Sequence, residues 1–302
     1  MKLCIQLSPL QNILGIDEAF SYLHEIGAEQ VDFSFGNWIS QEQVFSNQHC
    51  LMDEPLEVMY KELDPYLEAA KKHGVEIGQT HAPFPCWLPG LDILERMTEI
   101  TKKAIALTNY LGCRYCVIHP LSAHKVCERL TPQAEWEQNK KFYSTLIPTL
   151  KQYNVICCTE NLWTTNDEGV HMASVCSEFD VAADWIDELN TLAGKELFGF
   201  CFDTGHVNIT RGNMYHALVT MGKRIKTLHV HDNVGVTDQH LSPYMGNINW
   251  EDFIRGMRDI GYEGDFSFET FRVLRVFPTE LTKTCIKLIA DTGRYLIKRI
   301  EE

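Results

Sequence analysis

Eight short apolar segments, each followed by a longer amphipathic stretch, constrain what this 302-residue chain can fold into. The segments begin at Lys2, Glu29, Val75, Arg114, Val155, Phe198, Ile225 and Gly264. Between them, apolar residues recur every three or four positions in residues 92–112, 249–262 and 279–300, as in amphipathic helices. Alternating strands and helices are typical of a parallel sheet, and eight such units close a barrel. The sequence therefore predicts an α/β fold, with one (β/α)8 TIM-barrel domain over residues 1–302.

The composition fits one large domain and disfavours several classes of protein. Hydrophobic residues make up 45% of the chain, enough for a sizeable core, but no apolar run reaches the length of a membrane-spanning helix. The first residues do not read as a signal peptide, and the eleven cysteines form no disulfide framework, so we expect reduced thiols and a cytoplasmic protein. The net charge of −14, without a basic stripe, argues against nucleic acid and favours a small-molecule partner.

The last residues of six consecutive predicted strands are all of metal-ligand types. They are His81, His119, Glu160, Asp203, His231 and Glu269. Because the carboxyl ends of barrel strands meet at one mouth, we expect these side chains to lie together. Carboxylates and imidazoles that converge without a cation would repel one another and lose hydration, so the pattern predicts a divalent metal. Mixed histidine and carboxylate ligands suit Mn²⁺, Zn²⁺, Co²⁺ or Fe²⁺.

Strand alternation gives these side chains a direction. Residues two apart on a strand share a face. In the last predicted strand, Ser267 and Glu269 should therefore point into the barrel, while Phe266 and Phe268 face the helices. The same alternation predicts that His229 and His231 point inward from the strand before it, while Leu228 and Val230 face outward.

Four motifs carry a resemblance to a known superfamily. In chain order they are "CTEN", "DTGH", "HVHDN" followed by "DQHLSP", and "FSFET". With them the chain resembles the xylose isomerase-like TIM barrels, which include sugar and sugar-phosphate isomerases and epimerases, inosose dehydratases and the endonuclease IV family. The similarity covers essentially the whole chain, but the motifs do not separate the branches of the superfamily.

The resemblance implies roles for individual residues. The epimerase branch implies a metal bound by Glu160, Asp203, His231 and Glu269, with the two glutamates also acting as acid and base. It favours His231, the second histidine of "HVH", as the ligand. His229, which lies deeper along the strand, is expected to support the site without binding the metal. The endonuclease branch implies additional metal or substrate contacts from His81, His119, His206, Asp238 and His240. One to three metal ions per chain follow from these alternatives.

Two departures from the superfamily pattern affect the rim of the site. Relatives commonly continue after the "DQH" motif with a Gly-Glu-Gly stretch, whereas this chain has only Gly246 there. The arginine that epimerases place shortly after the ligand histidine is also missing from "HDNVGV". The details of substrate binding are therefore expected to differ.

The favoured function is a metal-dependent isomerase or epimerase of a sugar or sugar phosphate, acting through a metal-stabilised enediolate. Aromatic residues near the predicted mouth would contact the substrate or pack under loops: Trp38, Phe84, Trp87 and Trp163. The alternatives are a phosphodiesterase or abasic-site endonuclease of the endonuclease IV type, an inosose-type dehydratase, and a sugar-binding barrel without activity. The sequence leaves open the sugar, the metal and a homo-oligomer.

Overall fold

Eight parallel strands form the central sheet of the computed structural model, which describes residues 1–302. The chain has ten strands, of which two lie outside this sheet. In chain order they are β1 (Leu3–Gln6), β2 (Gln30–Ser34), β3 (Glu76–His81), β4 (Tyr115–Val117), β5 (Ile156–Glu160), β6 (Trp163–Thr165), β7 (His171–Ala173), β8 (Phe198–Asp203), β9 (Ile225–His229) and β10 (Phe266–Phe268). The sheet order is β10-β1-β2-β3-β4-β5-β8-β9, and a bridge between Val230 and Phe268 joins its two ends. β6 and β7 pair separately as an antiparallel ribbon. The predicted (β/α)8 barrel is confirmed.

Twelve α-helices accompany the strands. They are α1 (Leu10–Leu14), α2 (Ile16–Glu25), α3 (Gln41–Ser46), α4 (Leu56–His73), α5 (Leu94–Tyr110), α6 (Pro132–Tyr153), α7 (Phe179–Ala193), α8 (Thr204–Ile209), α9 (Met214–Met221), α10 (Trp250–Asp259), α11 (Phe271–Val276) and α12 (Thr282–Glu301). The helices predicted within 92–112, 249–262 and 279–300 correspond to α5, α10 and α12. None of the twelve has the length and apolarity that a membrane crossing requires.

The chain divides into two compact units. The first comprises Met1–Phe33, Asp64–Gly78 and Phe202–Glu302, and the second comprises Ser34–Leu63 and Gln79–Cys201. β3 and β8 contribute residues to both units. The expectation of one domain over residues 1–302 stays a prediction.

In the first unit, the two faces of β10 have the predicted environments. Phe266 packs edge-on against Phe253 of α10, with ring centroids 6.1 Å apart. Phe268 lies against α12 at Gly293, where an added Cβ would come 2.6 Å from the ring. Ser267, between the two phenylalanines, is fully buried. The close approach of helix and strand explains why a glycine occupies this position of α12.

In the second unit, β5 pairs in parallel with the first residues of β8. Glu160 is the register partner of Cys201.

Capping residues fix the neighbouring helix α6. Thr131 accepts a hydrogen bond from the Ala134 backbone N–H before the helix, and Asn154 adopts a left-handed conformation after it. None of the eleven cysteines is part of a disulfide.

Three of the six predicted strand ends coincide with the observed ones, namely His81, Glu160 and Asp203. The other three strands end slightly earlier, at Val117, His229 and Phe268. His119 and His231 therefore lie two residues beyond their strands, and Glu269 lies one residue beyond.

At the start of β10, the first unit holds a partly buried carboxylate, Asp265. Burial raises its pKa to about 6, the charge of Lys2 opposes this shift, and the carboxylates of Glu76 and Glu29 add to it. Lys2 is itself paired with Glu76 at 2.6 Å. Burial and the neighbouring carboxylates therefore destabilise the charged form of Asp265 relative to a carboxylate in water.

We predict that Asp265→Asn raises the free energy of unfolding at about pH 7.5 by about 1–2 kcal/mol, discounted for its partial exposure. The folded-state pKa of about 6 exceeds the ordinary 3.8, so this group's contribution to stability is complete below about pH 3.8 and is lost as the pH rises through 6. The gain should therefore shrink towards about pH 4.5. Urea unfolding at both pH values measures it, with the exposed Glu263→Gln as control. An equal gain at both pH values would contradict the burial argument.

Candidate metal centre and active site

Asp203 divides its two carboxylate oxygens between a helix and two imidazoles. Oδ1 accepts a hydrogen bond from the His206 backbone N–H at 2.6 Å and so caps α8. Oδ2 lies 2.9 Å from His231 Nε2 and 4.0 Å from His229 Nδ1. The cap holds the side chain rigidly, with its second oxygen turned towards the histidines.

The two histidines of "HVH" are both fully buried in the first unit but differ in their contacts. His229 Nδ1 lies 3.5 Å from Glu269 Oε2. His231 places Nε2 within hydrogen-bond distance of Asp203, and its Nδ1 has no hydrogen-bond partner. The His231 ring lies so close to Gly205 that an added Cβ there would come 1.9 Å from the ring. The glycine of "DTGH" is therefore required by the position of this imidazole.

A second group of ligand-type side chains lies at the loop that follows β9. Asp238 Oδ2 lies 2.9 Å from His240 Nε2 and 3.5 Å from His206 Nε2. Asp238 Oδ1, which has no hydrogen-bond partner, lies 4.0 Å from His231 Nε2. The loop therefore carries two ligand-type side chains back towards the end of its own strand.

The charges of this loop group shift two pKa values in opposite directions. Burial alone would raise the pKa of Asp238, but His206 and His240 outweigh it and hold that pKa well below its usual range. Burial would lower the pKa of His240, but the carboxylates, first Glu269 and then Asp238, raise it to about 9. The His240 ring accordingly has a hydrogen-bond acceptor at each nitrogen, the Glu269 carbonyl at 2.9 Å and Asp238 at 2.9 Å. Without a cation, a protonated His240 balances part of the local negative charge.

The second unit contains its own group of ligand-type residues. Glu160 Oε2 lies 3.2 Å from His119 Nε2 and 3.8 Å from His81 Nε2. The two Nε2 atoms are 3.1 Å apart. His81 Nδ1 lies 2.7 Å from the Ala82 carbonyl, which fixes the proton on Nδ1 and turns the Nε2 lone pair towards the group.

Among the aromatic residues that the sequence places near the mouth, Phe84 covers a ligand-type histidine. Its ring stacks on His119 with centroids 4.2 Å apart, and 43% of the residue is exposed. The half-buried Trp38 and Trp163 pack instead against Phe35 and His171. Trp87 is half-buried as well. The Phe84 ring therefore lies beside His119, whereas Trp38 and Trp163 pack against other rings.

Sequence reasoning missed Asp232, which organises the loop after β9. This fully buried carboxylate accepts four hydrogen bonds. Oδ1 accepts from the backbone N–H groups of Asn233 at 2.9 Å and Ile248 at 3.2 Å. Oδ2 accepts from Tyr244 N–H and Trp250 Nε1–H, each at 3.0 Å. The only signal in the sequence was a charged residue directly after an apolar strand.

Gly246 allows the same loop to close on Asp232. An added Cβ would lie 2.3 Å from both Asp232 Oδ1 and the Asn233 carbonyl oxygen. Gly246 is therefore required by packing in this loop.

The first unit offers three overlapping sets of donors whose atoms lie within 4.8 Å of one another. They are Asp203–His206–His231, His231–His240–Glu269 and Asp203–His229–Glu269. Metal–ligand bonds of about 2.0–2.2 Å place neighbouring donor atoms about 3.0–4.2 Å apart. The separations of 3.5 and 4.0 Å from His229 Nδ1 fall in this range. Buried nitrogen and carboxylate donors at these distances fit a divalent transition metal.

The sequence matches a family model described as xylose isomerase-like TIM barrel over residues 20–291. It is 30% identical over 244 residues to the uncharacterized protein MJ1311 of Methanocaldococcus jannaschii, covering 76% of this chain and 77% of that protein. It is also 30% identical over 101 residues to a D-psicose 3-epimerase of Enterocloster bolteae, covering 33% and 30% of the two chains.

Solved structures share the fold at low sequence identity. A putative xylose isomerase from Rhodospirillum rubrum has a TM-score of 0.76 at 14% identity and covers 98% of this chain and 99% of its own. A D-tagatose 3-epimerase-like protein has a TM-score of 0.62 at 20% identity, covering 98% and 100%.

We predict that Asp232→Asn destabilises the protein by about 2–4 kcal/mol, because an amide NH₂ would face backbone donors and leave buried N–H groups unpaired. Urea unfolding measures the loss. The matched control is Asp252→Asn, an exposed carboxylate in α10 paired with Arg255, which should cost less than about 1 kcal/mol. Equal losses in the two variants would contradict the organising role of Asp232.

Proposed function

Because the chain belongs to the xylose isomerase-like TIM barrel family, we propose that it is a divalent-metal-dependent isomerase or epimerase of a sugar or sugar phosphate. The observation that carries this proposal is the buried group of Asp203, Glu269 and the "HVH" histidines. Buried carboxylates at such distances from imidazoles are costly unless a cation binds among them. The relative named as a D-psicose 3-epimerase supports the reaction class.

The proposed ligands follow the sequence prediction: Glu160, Asp203, His231 and Glu269. Asp203 and Glu269 both approach His229 as well, so either histidine of "HVH" is a candidate ligand. Glu160 ends β5, the sheet neighbour of β8, which supports its assignment to the same set of strand ends. The remaining histidines and Asp238 would bind further cations or the substrate.

The proposed chemistry divides proton transfer between two carboxylates. A divalent cation held by these residues would polarise a substrate carbonyl and so lower the pKa of the neighbouring C–H bond. One of Glu160 and Glu269 takes this proton, and a carboxylate returns one to the adjacent carbon or to the opposite face of the same carbon. Their side chains are only 2% and 14% exposed, which limits competition from water. Phe84 offers an apolar surface to the C–H face of a sugar.

A second function, hydrolysis of a phosphodiester, is favoured by the additional ligand-type groups. His81 and His119 surround Glu160 in the second unit, and His206 and His240 surround Asp238 in the first. Such sets suit a site with several metal ions, which clamp the attacking and leaving oxygens of a phosphoryl group. The charge of −14 disfavours duplex nucleic acid as the substrate. An inosose-type dehydratase would use the same proton abstraction as the favoured function.

We predict that the protein binds more than one equivalent of Mn²⁺ or Zn²⁺ per chain, because ligand-type groups occur in more than one place. His81→Ala and His119→Ala should each lose only the additional equivalent. Elemental analysis after loading and desalting measures the count, and His49→Ala, a surface variant, should match the wild type. One equivalent, unchanged in both variants, would assign these histidines to substrate binding.

We predict that the metal-loaded protein exchanges a substrate C–H hydrogen with solvent. The experiment incubates a panel of ketoses, aldoses and their phosphates in D₂O and follows deuterium beside the carbonyl by NMR. Glu160→Gln and Glu269→Gln should each slow exchange by about three orders of magnitude or more, because each loses a proton-transfer group. The exposed Glu168→Gln is the control. Cleavage of phosphodiesters without any exchange would instead support the hydrolytic function.

A further inference from the structure

Asp32 is a buried carboxylate to which sequence reasoning gave no role. It lies in β2, opposite Gln6 of β1, and only 1% of the residue is exposed. Its Oδ2 lies 3.5 Å from His229 Nε2. A charged carboxylate in a barrel interior is costly to bury unless nearby groups compensate for the lost hydration, so its place beside an imidazole calls for an explanation.

His229 connects Asp32 to the proposed metal site through its two ring nitrogens. Nε2 faces Asp32, while Nδ1 faces Glu269 Oε2 at 3.5 Å and Asp203 Oδ2 at 4.0 Å. A neutral imidazole has one N–H donor and one lone pair, and an acceptor beside one nitrogen favours the proton there. Asp32 therefore favours the proton on Nε2, which leaves the Nδ1 lone pair directed at two carboxylates.

A lone pair directed at two carboxylates is repulsive unless a cation lies between them. Histidines that bind metals typically donate their other N–H to a carboxylate, which fixes both the tautomer and the ring orientation. His231 has its Nε2 beside Asp203 and its ring packed on Gly205, and its Nδ1 has no hydrogen-bond partner. Asp32 gives His229 a carboxylate in this position, at 3.5 Å from Nε2.

We infer that Asp32 is a positioning residue that orients His229 Nδ1 towards Asp203 and Glu269 and so strengthens metal binding at this group. The inference rests on the proposed metal dependence and adds a specific support for one ligand. It assigns to Asp32 no contact with substrate.

The test measures Co²⁺ binding and the His229 tautomer in the full-length protein. Competition with a chelating indicator gives the Kd, and the Co²⁺ absorption bands report the ligand environment. Long-range ¹⁵N NMR of the metal-free, ¹⁵N-histidine-labelled protein gives the tautomer, with His229→Gln identifying the signal. The variants are Asp32→Ala and the isosteric Asp32→Asn, which keeps a neutral acceptor. The matched control is Thr227→Val, a buried, nearly isosteric change two residues before His229 in β9.

We expect Asp32→Ala to weaken Co²⁺ binding about 10–100-fold and Asp32→Asn to weaken it less. The wild type should carry the proton on His229 Nε2, Asp32→Ala should lose this preference, and Thr227→Val should match the wild type in both respects. Kd values equal to that of the wild type in both Asp32 variants would overturn the inference. So would a wild-type protein whose His229 carries its proton on Nδ1. If Asp32→Ala does not fold, Asp32→Asn decides through its Kd and spectrum.

The experiment separates this inference from the proposed function. Weakened Co²⁺ binding in the Asp32 variants, in a protein that exchanges no substrate hydrogen, would support the role of Asp32 and refute the isomerase. Exchange of substrate hydrogen together with unchanged Co²⁺ binding in the Asp32 variants would support the isomerase and refute the role of Asp32. Absence of any Co²⁺ binding by the wild type would overturn the inference.

Discussion

The carboxylate of Asp203 is the interaction on which the arrangement of the first unit's site depends. Its Oδ1 is fixed by the α8 backbone, so Oδ2 cannot turn away from His231 and His229. Thr204, the next residue, holds the backbone of His231 in place. Its hydroxyl accepts a hydrogen bond from the His231 N–H and donates one to the His231 carbonyl. A carboxylate and two imidazoles that are buried together in fixed positions form a preorganised site for a cation.

The loop after β9 extends this rigidity to the rim. Asp232 satisfies donors from residues up to eighteen positions away, including Trp250 Nε1, and Gly246 lets the backbone pass close to it. Asp238 and His240 are thereby carried on a loop whose course is set by a single buried carboxylate. A loop that is tied down in this way can present ligand-type side chains with little loss of conformational entropy on binding.

The strands and their inward faces could be predicted because alternation of apolar residues directly reflects burial, as Phe266 and Phe268 show. The sequence could not predict which of His229 and His231 approaches the carboxylates. Residues two apart share a face, and the sequence does not reveal that β9 ends at His229. The role of Asp232 was hidden because its partners are distant in the chain. Trp38 and Trp163 were assigned to the rim from residue type alone, and their contacts are set by loops that have no periodicity.

A sugar isomerase and a phosphodiesterase would make different use of the same donors, but both proposals place a metal beside Asp203. Anomalous X-ray diffraction from crystals soaked in Mn²⁺ or Zn²⁺, recorded on both sides of the absorption edge, locates such an ion directly. The account predicts a peak beside Asp203 and Glu269, with Nδ1 of His229 or Nε2 of His231 among its ligands. Peaks confined to other parts of the protein, or no peak after soaking, would contradict it.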